Sequence, residues 1–173
     1  GTVLGNAIAT KIDKDLIALF SGFSGSLGSA GVDITAADIF KAVATLRANS
    51  VVGNLSAVVH PYQAYALKSA LTNAYSPNTS NDLVNEAMRT GYVGSLAGVD
   101  VYESPNVAID GEGDSVAAVF APEALAIALK SEFNLETQRN ATRRGTELVA
   151  TAIYGVGELD DSYGVKIIAD SVL

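Results

Sequence analysis

The sequence predicts an α+β fold, with helices early in the chain and strands later. Residues 6–20 and 33–49 place apolar side chains every three or four positions, as one face of a helix does. The short β-branched or alternating segments typical of strands are 54–60, 97–104, 146–157 and 163–170. Helices and strands do not alternate regularly, so a doubly wound parallel sheet is not expected.

The composition indicates a subunit that contacts other proteins. Of the 173 residues, 49% are hydrophobic and only 17% are charged, and large apolar surfaces usually mark partner sites. The alternative is a monomer with an alanine-rich core. A net charge of −8 argues against nucleic-acid binding, which needs Lys and Arg on the phosphates. The chain has no cysteine, which excludes disulfides and thiolate metal sites, and no apolar run long enough for a membrane-spanning helix.

Local signals define the first elements. Ile8, Ile12, Leu16 and Phe20 form one stripe of the first helix. Thr35 is the expected N-cap of the second helix, and Asp38 can return a bond to the N–H of the cap.

The middle of the chain combines strands, a helix and loops. Pro61 suits the first position of a helix over 61–74, directly after the strand at 54–60. Turn residues follow at 75–81, and a short helix is then expected through Met88 to Gly91. A flexible acidic loop is expected at 104–115, while the alanines and the alternation in 116–129 leave helix and strand open.

Residues 22–31, "GFSGSLGSAG", are rich in glycine, but they fit neither a phosphate-binding loop nor a nucleophile elbow. A GxxxxGK[ST] loop needs a lysine and a hydroxyl after its last glycine, whereas Val32 and Asp33 follow Gly31. A nucleophile elbow needs GxSxG, and the spacing around Ser24 is different. We therefore expect a mobile connection between two helices.

Few residues suggest catalysis or metal binding. His60 is the only histidine and has no marked nucleophile or acid beside it, so we expect it to cap the next helix or hold a turn. Asp110, Glu112 and Asp114 alternate as in a calcium loop, but the sixth and twelfth positions hold Ser115 and Ala121. A solvated acidic loop is therefore the expected alternative to calcium, and no cofactor is expected.

The remaining cluster of charges lies in residues 134–155. Arg139, Arg143 and Arg144 lie close together in an acidic chain, with Glu136 just before them. Arginine is well suited to ion pairs across an interface, so we predict that these four residues contact another subunit. An ordinary solvated surface and a nucleic-acid patch are the alternatives.

Three segments together resemble a known family: "TGYVGSLAGVDVYESPNV" (90–107), "LETQRNATRRGTELVATAIYGVG" (135–157) and "YGVKIIAD" (163–170). They are similar to the major capsid proteins of tailed bacteriophages, whose architecture is the Hong Kong ninety-seven type. The resemblance implies a peripheral domain with a long spine helix, here residues 1–50 and 123–173. It also implies an axial domain around a central mixed sheet, here residues 51–122, with Asp110, Glu112 and Asp114 on its axial loop. The N-terminal arm and extended loop of the family are not found before the first helix, so the sequence is expected to be a fragment.

The resemblance implies a structural function without catalysis. Copies of the chain would assemble into capsomers and an icosahedral head that encloses DNA without specific binding and without membrane contact. The protein would be made in the cytoplasm of the bacterial host and end in the virion. The alternatives are an encapsulin-like nanocompartment shell and, in a different class, a small α+β enzyme or ligand-binding domain.

Overall fold

The computed structural model describes residues 2–74, 95–96 and 98–172, and the side chains of all these except 71–74 and 95. The helices are α1 (Thr2–Ala18), α2 (Ala36–Ala48) and α3 (Pro61–Ala74). The strands are β1 (Gly25–Gly28), β2 (Leu55–Val59), β3 (Ser95–Leu96), β4 (Val99–Glu103), β5 (Asp114–Phe120), β6 (Leu125–Asn140), β7 (Gly145–Glu158) and β8 (Gly164–Asp170). Within the described ranges, no helix combines the length and apolarity that crossing a bilayer requires.

A six-stranded mixed sheet forms the centre of the molecule, with strand order β1-β8-β5-β2-β4-β3. The pairs β1–β8 and β2–β4 are parallel, and the other neighbours are antiparallel. Helices α2 and α3 bury one face of the sheet through residues such as Ile39, Leu46 and Leu67. The opposite face packs on Phe20 and Phe23, which follow α1. This mixture of helices and sheet confirms the α+β prediction.

The second sheet is a long hairpin of β6 and β7 alone. Its register shifts between Leu129 and Ser131 and again between Ser131 and Asn134. Helix α1 packs against the base of this hairpin, the part nearest the six-stranded sheet. The chain therefore has a sheet part, with α2 and α3, and a hairpin part, with α1.

Most elements occur where the sequence predicts them. Helix α2 begins after Thr35, whose N–H donates to Asp38 Oδ2 at 3.1 Å, as expected of the cap. Strands β2, β4, β7 and β8 lie within one to two residues of the predicted segments, and α3 begins at Pro61 as expected. The open segment 116–129 is strand, because only a short 3₁₀ turn at Pro122–Ala124 separates β5 from β6. The turn at 75–81 and the short helix through Met88 lie outside the described residues.

The prediction of a mobile connection at 22–31 is wrong, because strand β1 lies in its middle. Gly25 to Gly28 pair in parallel with Val165 to Ile168 of β8. A Cβ on Gly28 would lie 2.2 Å from the Ile168 carbonyl oxygen, and the φ of Gly28 is +77°. The glycines therefore allow close strand pairing, which glycine spacing in the sequence does not reveal.

The six-stranded sheet contains strands from all three predicted ranges, 1–50, 51–122 and 123–173. Strand β1 comes from the range 1–50 and β8 from the range 123–173, yet both belong to the six-stranded sheet. The segments that leave this sheet are α1 and the hairpin of β6 and β7.

A buried glutamine connects α3 to two strands. Gln63 is fully buried, and its Nε2 donates to the carbonyl oxygens of Ser115 at 3.2 Å and Ala169 at 3.1 Å. Its Oε1 accepts from the N–H of His60 at 3.2 Å, while His60 Nδ1 accepts from the N–H of Tyr62. His60 and Gln63 thus form a capping box that starts α3, which confirms the capping role expected of His60.

We expect Gln63→Leu to destabilise the chain by about 2–4 kcal/mol, because it removes three buried hydrogen bonds while keeping the side-chain volume. The measurement is urea unfolding followed by circular dichroism. Gln138→Leu, on the exposed hairpin, is the control and should change stability by less than about 0.5 kcal/mol. Equal stability of the two variants would show that these bonds contribute nothing.

Candidate assembly surface

The hairpin of β6 and β7 is the most exposed part of the described chain. Register pairs such as Leu129 with Tyr154 and Leu135 with Ala150 lie on one face, which we call the helix face because α1 packs on its base. On β7, Ala150, Ala152 and Tyr154 of the helix face are half-buried, whereas Thr151 and Ile153 of the opposite, open face are exposed. Between Ala150 and Tyr154, the period of two along β7 therefore separates a covered face from an uncovered one.

A polar contact fixes α1 on the hairpin. The hydroxyl of Tyr154 donates to Asp15 Oδ2 at 2.7 Å, and Lys11 forms an ion pair with the same carboxylate one helical turn away. The hydrogen bond from Lys11, with that from Tyr154, lowers the pKa of Asp15 below its ordinary value. Helix α1 and strand β7 thus meet through charge as well as apolar packing.

The hairpin tip, residues 139–146, carries the predicted arginines. Arg139 pairs in register with Thr146 on the helix face, and Arg143 and Arg144 lie in the turn that joins the strands. Arg144 has a φ of +49°, and the N–H of Arg143 donates to Asn140 Oδ1 at 3.3 Å. Among the described residues, no carboxylate lies within ion-pair distance of these three guanidinium groups.

The structure does not bring Glu136 to the arginines of its own chain. Glu136 pairs with Val149, so it lies on the open face, whereas Arg139 lies on the helix face. Its Oε1 accepts instead from Asn134 Nδ2 at 3.2 Å. The four residues therefore offer charges of both signs in different directions, and pairing across an interface stays a prediction.

Exposed apolar side chains on the hairpin were missed by the sequence reasoning. Leu129 is 56% exposed and Ile153 54% exposed. Others on the same hairpin with at least a third of their surface exposed are Ile127, Phe133, Leu135, Leu148 and Val149. The alternation in 146–157 predicted a strand, but it did not show that the strand is exposed. The available signal of an uncovered surface was that apolar residues occupy both faces of this strand.

Residues at the joint between hairpin and sheet were also missed. The Asp161 carboxylate accepts from the N–H of Ser24 at 2.7 Å and from its hydroxyl, which lowers the pKa of Asp161. Some loss of hydration, and then the negative charge of the nearby Asp161, raise the pKa of Glu158 at the end of β7. Lys166 of β8 donates to the carbonyl oxygen of Ser21 at 3.0 Å. These contacts connect the end of α1 to the sheet.

The three acidic residues of the predicted axial loop differ in burial and in hydrogen-bond partners. The Asp110 carboxylate accepts from the N–H groups of Asp114 and Glu112, both at 2.9 Å, which lowers the pKa of Asp110. Asp114 is buried, and its Oδ1 accepts from the N–H of Gly31 at 2.7 Å. Glu112 is exposed. In the described part of the chain, no three His, Cys, Asp or Glu side chains form a group that could hold a metal ion.

Comparison with known proteins identifies the fold. The family model described as phage capsid protein matches residues 2–167. A solved structure from Mycobacterium phage Che8 is 26% identical with a TM-score of 0.76, covering 94% of this chain and 60% of that one. The capsid of cyanophage P-SCSP1u is 16% identical with a TM-score of 0.70, covering 97% and 64%. An encapsulin from Synechococcus elongatus is 12% identical with a TM-score of 0.68, covering 96% and 63%.

A search of the curated proteins found no match. The chain spans less than two thirds of the length of each of these structural relatives. The match over residues 2–167 nevertheless includes both the six-stranded sheet and the hairpin. The chain belongs to the phage capsid protein family, and its fold is of the Hong Kong ninety-seven type.

Proposed function

We propose that this protein is a major capsid subunit that assembles with copies of itself into the icosahedral head of a tailed phage. The observation that carries the proposal is the exposed hairpin, which combines uncovered apolar side chains with arginines that have no ion-pair partner in the described chain. Exposed leucine, isoleucine and valine side chains of the hairpin suit burial against neighbouring subunits. Repeated over many copies, contacts of a few kcal/mol each would hold a closed shell.

The proposed role requires no catalysis. His60 Nδ1 is occupied by the N–H of Tyr62, and among the described residues no metal-binding group of acids and histidine forms. The acidic chain would enclose DNA without binding its phosphates specifically, in the virion, after synthesis in the bacterial cytoplasm. We further propose that α1 and the hairpin belong to the peripheral-like domain predicted over 1–50 and 123–173, and that the loop at 104–115, with Asp110, Glu112 and Asp114, is the axial loop.

The second candidate is an encapsulin-like shell that holds cargo proteins. The observation that favours it is the TM-score of 0.68 with the Synechococcus elongatus encapsulin. The higher similarity to the two phage structures favours a viral head. Particles purified from infected host cells would decide between the two candidates, because a viral head contains DNA and a nanocompartment contains an enzyme.

The assembly test reverses charge at the hairpin tip. In the protein expressed from its complete gene, we expect Arg139→Glu with Arg143→Glu to reduce the yield of closed particles at least about tenfold, because like charges would meet at every repeated contact. Sedimentation and electron microscopy measure the yield. Lys41→Glu, on helix α2 outside the hairpin, is the control and should assemble within about twofold of the unmodified protein, because Lys41 is exposed and its ion pair with Asp38 contributes little.

Two results of this test would count against the proposal. If the unmodified protein forms no particles under any assembly condition, the capsid role itself fails. If the double variant assembles as well as Lys41→Glu while both remain folded by circular dichroism, the hairpin tip is not part of the interface.

A further inference from the structure

A groove of about 690 Å³ lies between the C-terminal end of α1 and the loop at 105–109. Its apolar lining includes Ile17, Val107, Ile109 and Val116. The volume is within the range of about 300–1,000 Å³ in which proteins bind small ligands or segments of peptide. The hairpin tip does not contribute to this groove, so the assembly surface does not account for it.

The loop that forms one wall is held in place by hydrogen bonds. Asp13 Oδ2 of α1 accepts from Asn106 Nδ2 at 2.5 Å and from the hydroxyl of Ser104 at 3.2 Å. The N–H of Ser104 donates to the carbonyl oxygen of Val59 at 3.0 Å. Since α1, the loop and β2 are connected in this way, the groove is formed before any partner binds.

His60 offers a hydrogen-bond donor to the groove. Only 8% of its surface is exposed, and its Nδ1 accepts from the N–H of Tyr62 at 3.2 Å. In the neutral ring, Nε2 must therefore carry the proton. Nε2 has no partner among the described residues, and it retains contact with solvent, because every fully enclosed side-chain nitrogen and oxygen in the described part has one.

Lys14 supplies a positive charge at the same groove. Its ammonium group forms no ion pair with any carboxylate of the described residues. The neighbouring acid, Asp13, is already bound to the loop. The groove therefore combines an aliphatic surface with an N–H donor and an unpaired cation.

We propose that this groove binds an extended acidic peptide segment of a partner protein, in which apolar side chains flank one carboxylate. A carboxylate can accept from both the Lys14 ammonium group and the His60 Nε2–H, while the flanking side chains contact Ile17, Val107 and Ile109. An uncharged acyl chain fits less well, because it would leave the Lys14 ammonium group and the His60 Nε2–H without a partner.

The test uses the single histidine of the chain as a probe. The imidazole signals of His60 are followed by nuclear magnetic resonance while the peptide Ac-ALELA-NH₂ is added. We expect saturable shifts, and about five- to tenfold weaker binding of the matched peptide Ac-ALQLA-NH₂, because a charge-assisted hydrogen bond is lost. Lys14→Ala should weaken Ac-ALELA-NH₂ by a similar factor, whereas Lys130→Ala should not change it.

The possible outcomes distinguish an acidic peptide from a lipid-like ligand and from no binding at all. Lys14→Arg keeps the charge and should retain binding, which separates loss of charge from loss of structure. Absence of any His60 shift at millimolar peptide, or equal binding by Lys14→Ala and Lys130→Ala, would overturn the proposal. Binding of octanoate with no binding of peptide would identify a lipid-like ligand and would equally overturn it. The assay uses subunits that have not assembled, so its failure leaves the capsid role untouched.

Discussion

Gly28→Ala is expected to destabilise the chain by about 3 kcal/mol or more, through backbone strain and a backbone clash together. Its φ of +77° costs any L side chain about 1–2 kcal/mol. In addition, the new Cβ would lie 2.2 Å from the Ile168 carbonyl oxygen and within 3.3 Å of two more backbone atoms of that residue. Strand β8 cannot retreat, because it is paired with β5 on its other side.

Gly31→Ala is the matched control for this variant. Its φ is +69°, almost the same as that of Gly28, but a Cβ there meets no atom within 4 Å. Urea unfolding followed by circular dichroism should give a loss of about 1–2 kcal/mol for Gly31→Ala and at least about 1–2 kcal/mol more for Gly28→Ala. Equal losses would mean that β1 does not pair closely with β8.

Gly164→Ala is the second variant with a large expected effect, of about 3 kcal/mol. Its φ of −132° is ordinary extended backbone, so the cost comes from packing alone. A Cβ would lie 2.3–2.6 Å from three ring carbons of Phe23, which is fully buried. The Phe23 ring has little freedom to move, because it stacks on Phe20 with ring centroids 6.2 Å apart, and Phe20 in turn contacts Phe120.

A double-mutant cycle tests whether the ring of Phe23 is the cause. Phe23→Leu should recover about 1–2 kcal/mol in the Gly164→Ala background relative to the sum of the single changes, because the shorter side chain makes room. Gly155→Ala, on strand β7 with open space at its Cβ, should change stability by less than about 1 kcal/mol. Additive effects of the two single changes would place the clash elsewhere.

The spacing of apolar residues within single helices and strands was enough to predict most of the fold. Apolar spacing located α2, and alternation located β7 and β8, because each element buries at least part of one face. Strand β1 was missed because a strand of "GSLG" has almost no side chains to alternate. Its position depends on the backbone of β8, whose paired residues are 140 positions away in sequence, and a contact of that range leaves no local pattern.

The charged residues of the candidate surface could be predicted from the sequence, but the faces on which they lie could not. The cluster of Arg139, Arg143 and Arg144 is visible in the sequence, and the structure places it at one hairpin tip. Glu136 was grouped with it by proximity, yet a separation of three residues puts Glu136 and Arg139 on opposite faces of a strand. The joint at Ser24 and Asp161, and the groove at His60, depend on contacts between distant segments and could not be read from composition.

The most direct test of the central claim is a cryo-electron microscopy reconstruction of particles formed by the protein expressed from its complete gene. The claim is that the hairpin of β6 and β7 is an assembly surface. It predicts a closed icosahedral shell in which Leu129, Ile153 and Arg143 are buried against neighbouring subunits. A shell in which all three side chains remain exposed to solvent would contradict it.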